Sequence, residues 1–194
     1  TQQSPAAQTL EPAVAAGQRA LALHDSFHWN HIVLGYIYLY QQQYDQALAE
    51  MKQGVARAPT EAWSYAALAV VLSYMGRTED ALEAAAQALR LKPLVVDAHL
   101  DSVGAAYATA GRPEEALAPL QRYISRYPNI LGAHLTLAAV YSELGKEAEA
   151  HAEATEVLRI NPKFSLEVHK QRMPIKDPAV LERHIAALRK AGLK

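Results

Sequence analysis

Cysteine is absent from the 194-residue chain, which removes disulfides, thiolate metal sites and a thiol nucleophile. No apolar run approaches the ~18 residues that suggest a membrane-spanning helix. The first residues lack the basic-then-apolar pattern of a leader. Strand-like alternation of apolar and polar residues is missing throughout. So is an excess of either charge: 19 Lys+Arg face 20 Asp+Glu, for a net charge of −1. That balance leaves neither a basic stripe for nucleic acid nor an acidic tail. A glycine-rich phosphate loop, a nucleophile elbow and a paired-carboxylate site are equally missing, so no enzyme activity and no cofactor are expected.

What the chain does have is a period. Pro59, Pro93, Pro128 and Pro162 lie 34, 35 and 34 residues apart, a spacing that marks stacked helix pairs. Aligned on these prolines, the first unit reads His31, Leu34-Gly35, Tyr38, Ala47 and Met51. The second reads Tyr65, Leu68-Ala69, Leu72, Ala81 and Ala85. The third gives Leu100, Val103-Gly104, Tyr107, Ala116 and Leu120, and the fourth His134, Leu137-Ala138, Tyr141, Ala150 and Ala154. The small residues let paired helices approach, and the large apolar ones, three or four apart, fill the space between them. Each proline ends its unit because it cannot continue a helix. Gly76, Gly111 and Gly145 mark the turn inside three units; the first has Gln42 there and must turn without that help.

Six anchors recurring four times resemble the tetratricopeptide repeat family over residues 28–164. The resemblance implies an all-α fold, a right-handed α-solenoid of helix-turn-helix pairs that holds a partner on its inner face. The units span 28–61, 62–96, 97–130 and 131–164. Ala13 and Ala20 extend the pattern backwards, so residues 10–27 read as the second helix of an earlier unit. Residues 1–9 lack an apolar period and read as a disordered or truncated N-terminus. One extra residue within Leu94–Asp97 is expected to reshape the turn there, and Pro119 to bend its helix. Residues 165–194 form a cap: a short helix after Phe164, an extended Met173–Lys176 link, then a helix started by Asp177-Pro178 and stopped by Gly192. Val180, Leu181, Ile185 and Leu188 form its buried stripe, with Glu182, Arg183, Arg189 and Lys190 outward.

First helices of such repeats line the inner groove. Off their packing stripe lie Trp29, Ile32, Tyr36, Leu39 and Tyr40 in the first unit, and Trp63, Val70, Ser73 and Tyr74 in the second. Asp101, Ser102 and Thr109 follow in the third, then Leu135, Thr136, Ala139, Ser142 and Glu143. The partner-binding groove is therefore aromatic and nearly uncharged at its N-terminal half, small and polar at its C-terminal half. The groove lacks the lysine, asparagine and arginine side chains with which related repeats clamp chaperone carboxylates. A hydrophobic or proline-containing protein segment suits it better. Tyr38, Tyr107 and Tyr141 occupy packing anchors and belong to the core.

His24, His28 and His31, beside Asp25, have metal-ligand spacing, but a helix boundary between His24 and His28 breaks it. They are expected as solvated turn residues, with no metal. His99, His134, His151, His169 and His184 are expected at surface or packing positions. Asp97, Asp101 and Ser102 make a polar spot without a positioned base.

Phe164–Glu167, Pro174–Pro178 and Leu188–Leu193 are similar to the end of the repeat region in bacterial multidomain signalling proteins. There a class III nucleotide cyclase or winged-helix domain precedes the repeats. That resemblance implies a regulatory or scaffolding region in the bacterial cytoplasm, with the catalytic or DNA-binding part upstream of Thr1. The rival readings are a free-standing, periplasmic adaptor that self-associates as a homo-oligomer, and a small-ligand sensor using the aromatic groove.

Overall fold

The computed structural model describes residues 27–91 and 99–194, together with positions 12, 15, 16 and 19, which are helical. The N-terminal stretch 1–9, most of the half repeat 10–27 and the turn at Leu94–Asp97 lie outside the described residues. Among the described residues, ten helices follow Phe27: α1 His28–Tyr40, α2 Tyr44–Arg57, α3 Ala62–Tyr74, α4 Thr78–Leu91, α5 Leu100–Thr109, α6 Pro113–Arg126, α7 Leu131–Glu143, α8 Glu147–Ile160, α9 Leu166–Arg172 and α10 Pro178–Lys190. They build an all-α solenoid, with no strand among the described residues. None of these helices is long and apolar enough to cross a membrane.

The two helices of each pair differ in pattern, and the pattern assigns their layer. The even helices α2, α4 and α6 carry one apolar stripe, whereas α3 and α7 are apolar all round. A helix apolar on every side must be covered on every side. Accordingly α1, α3, α5 and α7 pack against one another in sequence as well as against their even partners. The even helices touch each other far less. A stack that packs more closely in one layer curves toward it, so the odd helices form the inner face.

Glycine at 76, 111 and 145 takes φ of 79°, 74° and 72°, the left-handed conformation expected at the turn. Gln42 adopts the same conformation, φ 60°, and carries the steric cost of a Cβ there. The first unit thus turns by the same geometry as the others. Helix α6 continues through Pro119.

Small residues are matched across each pair by the size of their opposite number. A Cβ at Gly35 would stand 2.8 Å from Met51 Cε, and one at Gly104 would stand 2.4 Å from Leu120 Cγ. In the same registers the second and fourth units place Ala69 with Ala85 and Ala138 with Ala154, all buried. Glycine therefore faces a large side chain, and alanine faces alanine.

One histidine departs from its expected place, and a second takes the packing position expected of it. His31 is 5% exposed and its Nδ1 lies 2.7 Å from Glu50 Oε2, so it is a buried link between α1 and α2 rather than a turn residue in solvent. His134 repeats this in the fourth unit, with Nδ1 2.6 Å from Glu153 Oε2 and Nε2 3.0 Å from the Pro128 carbonyl oxygen. The same positions hold Tyr65 and Ala84 in the second unit and Leu100 and Pro119 in the third, so the pairing occurs only where both residues recur together. Glu153→Ala is expected to destabilise the chain by about 2 kcal/mol, the penalty for stranding a buried hydrogen-bonding group. Glu50→Ala should cost less, because Glu50 is more exposed (24% against 14% for the two side chains). Urea denaturation of both variants tests the order.

At the C-terminal end, Ser165 Oγ accepts from Val168 N and starts α9. Asp177 Oδ1 accepts from Ala179 N at 2.8 Å and starts α10 at Pro178. The Leu166 amide donates to the Lys194 carbonyl at 2.7 Å, which ties the chain end to α9. Helix α10 packs on α7, where Ile185 and Leu188 join Leu137 and Val140 in one core.

Candidate functional site

The helical phase that buries anchors between α1 and α2, or α3 and α4, turns the intervening side chains to the inner face. There they meet around a cavity of about 370 Å³. Seven of the nine groove residues expected from the sequence line it: Tyr36 and Tyr40 from α1, Trp63, Val70 and Tyr74 from α3, and Asp101 and Ser102 from α5. Thr109, Leu135, Thr136, Ala139 and Glu143 complete the wall from α5 and α7. Tyr40 is 49% exposed and stands at the mouth.

The remaining two are placed elsewhere. Trp29 lies outside the cavity, half-exposed at the start of α1, with its ring 5.5 Å from that of Trp63. Ile32 is 1% exposed and belongs to the core, a correction to its expected groove position. The reason is Gly54: without a side chain it leaves a recess in α2 that the Ile32 δ-methyl fills, 2.7 Å from where a Cβ would stand. Leu39 and Ser73 are likewise buried, Ser73 Oγ donating to the Val70 carbonyl at 2.9 Å. Tyr38 and Tyr141 are buried as expected of packing anchors.

The C-terminal segment lies across this face, which the sequence reading did not anticipate. The Lys176 amide donates to the Tyr74 carbonyl at 2.8 Å, so the extended link reaches back to the second helix pair. Lys176 Nζ sits 5.5 Å above the Tyr44 ring. Ile175 is buried, and Met173, Ile175, Val180, Arg183, His169 and His184 form a roof over the cavity. Arg183, expected outward, instead points to the array: Nη2 donates to the Thr109 carbonyl at 2.8 Å, and Nε lies 3.2 Å from Glu143 Oε1. Its guanidinium thereby satisfies the Thr109 carbonyl at the C-terminus of α5. The signal for this in the sequence is that the extended link is apolar at Met173-Pro174-Ile175.

Burial dominates the electrostatics. It raises the Tyr36, Tyr40 and Tyr74 hydroxyls above the ordinary phenol range. It also raises the Asp101 carboxyl, against the opposing effect of hydrogen bonds from Ser102. Glu143 is raised by burial and drawn back by Arg183. His169 and His184 are lowered by burial, His184 to about 4, with His169 and Arg183 adding to its shift. Their Nε2 atoms are 3.4 Å apart. The wall thus combines aromatic rings, hydroxyls and neutral imidazoles. Among the described residues, no group of three or more His, Asp or Glu is placed to hold a metal ion.

Models of the tetratricopeptide repeat match residues 31–61, 62–92 and 103–129. No protein of curated function matches the sequence. Several solved structures share the fold. A thermophilic TPR protein from Thermus thermophilus is 24% identical, covering 93% of this chain and 91% of that one with a TM-score of 0.67. PilW, a type IV pilus biogenesis factor, is 18% identical, covering 95% and 82% with a TM-score of 0.65. YrrB, described as a TPR protein with an unusual peptide-binding site, is 18% identical, covering 91% and 90% with a TM-score of 0.53. At these identities the likeness carries the fold alone.

Proposed function

We propose that this chain is a protein–protein interaction module, as the tetratricopeptide-repeat matches support, and that a segment of its partner enters the roofed cavity on the inner face. The carrying observation is convergence: Tyr36 and Tyr40 of α1 and Trp63, Val70 and Tyr74 of α3 line one cavity. Aromatic side chains of this kind bury large area and keep a polar tip, which is why they dominate binding hot spots. The segment enters past the exposed Tyr40, and its side chains occupy the space beneath Met173 and Ile175. A cavity of this size accepts a few side chains rather than a helix. The tail motif supports the further reading that the array is the regulatory or scaffolding end of a larger bacterial cytoplasmic signalling protein.

A photo-cross-linking residue in place of Tyr40, with one in place of the outward Glu114 as control, tests this reading. The Tyr40 position is expected to capture a partner segment identifiable by mass spectrometry. Trp63→Ala should then weaken that purified segment by about thirtyfold, the ~2 kcal/mol of a hot spot. Cross-links from Glu114 alone, or affinity unchanged by Trp63→Ala, would overturn the proposal. Capture of a second copy of the chain would replace it with self-association.

A further inference from the structure

The charges around the cavity do not balance. Arg183 is engaged by Glu143 and by the carbonyls of Ala108 and Thr109, so that pair is neutral. Burial holds His169 and His184 in their uncharged form. Asp101 remains. It sits in the first turn of α5, where the helix dipole favours a carboxylate, and Ser102 Oγ lies 3.4 Å from its Oδ1. Among the described residues no lysine or arginine is in ion-pair contact with it. Around it stand Tyr36, Tyr40 and Tyr74, with Trp63 on the same wall.

A carboxylate withdrawn from water costs free energy unless a cation joins it. Aromatic faces carry negative charge density and attract cations, most strongly where water is excluded. Four aromatic rings, one uncompensated carboxylate and a cavity of about 370 Å³ therefore fit one chemical class of guest. Building on the partner-segment reading above, we infer that the chamber takes a basic side chain of that segment, its cationic head at Asp101 and its alkyl stem against Tyr36, Tyr74 and Ile175. The tyrosine hydroxyls and Ser102 are at hand as further acceptors for its protons.

The test compares two blocked pentapeptides, Gly-Gly-Lys-Gly-Gly and its norleucine counterpart, by the fluorescence of Trp63 in the full chain, with Trp29→Phe removing the other indole. The lysine peptide is expected to bind about tenfold tighter or more. Asp101→Asn should abolish that difference while binding of the norleucine peptide stays as it was. Asp101→Glu, which keeps the charge, should restore a preference for lysine. Equal affinities for the two peptides overturn the inference, as does a lysine preference that survives Asp101→Asn. Cadaverine competing as well as the lysine peptide identifies a free organic cation as the guest and also overturns it. If neither peptide binds, the inference falls, while the partner-segment reading still rests on the Tyr40 and Trp63 experiment.

Discussion

Gly104→Ala is expected to destabilise the chain by about 2 kcal/mol, although alanine is the better helix former. The added Cβ would stand 2.4 Å from Leu120 Cγ and 2.8 Å from its Cδ2. Cγ is a branch point, so no rotation of the leucine tip relieves the overlap, and α5 and α6 must separate. Leu120→Ala alone should cost about 3 kcal/mol, since Leu120 is fully buried and a cavity remains. The combined variant recreates the alanine–alanine pair found at Ala69 with Ala85 and at Ala138 with Ala154. Its cost is expected to fall below the sum by about 1 kcal/mol or more, the range seen for residues in contact (about 0.5–3 kcal/mol). The matching exchange Gly35→Ala should cost less, because the crowding atom there is Met51 Cε, the free end of a flexible side chain. Additive losses in a double-mutant cycle would refute the size-matching account.

Acid is expected to loosen the C-terminal roof before the array itself. His184 is held near 4 and His169 is lowered as well, both chiefly by burial. Above pH ~6.5 both rings are neutral whether the tail is seated or free. As pH falls below that value the free tail takes up protons that the seated one refuses, and the seated state loses stability until the folded pKa near 4 is passed. At about 1.4 kcal/mol per pKa unit, His184 alone accounts for on the order of 3 kcal/mol. Two imidazoles 3.4 Å apart beside Arg183 cannot both charge without repulsion. Hydrogen exchange in α10 should therefore accelerate between about pH 6.5 and 4.5, with exchange in α3 unchanged after correction for intrinsic rates. His184→Leu should flatten that dependence, and His169→Gln should reduce it. An α10 profile identical in both variants and the native chain would remove the histidine pair as its cause.

The repeat was legible because its information is local and periodic. Each anchor meets a partner in the same unit or the next, so spacing alone placed Gly35 against α2, Ala116 against α5, and the left-handed turns at Gly76, Gly111 and Gly145. The same phase put Tyr36, Tyr40, Trp63 and Tyr74 on the inner face. Ile32 escaped it because a single glycine, Gly54, offered a deeper site than the groove. The His134–Glu153 link needed the register of two helices at once, and two of the four units lack it.

The amino-acid sequence by itself determined the helix pairs, their order and the aromatic character of the inner face, since a period of about 34 residues restricts each contact to near neighbours. Tertiary structure alone decided that this face is roofed. The contact of Lys176 with Tyr74 spans about a hundred residues and repeats nowhere among the described residues, so no period announces it. Only the accumulated curvature of the stack brings the second helix pair within reach of the tail. Asp101, on the wall of the same cavity, is withdrawn from water by burial.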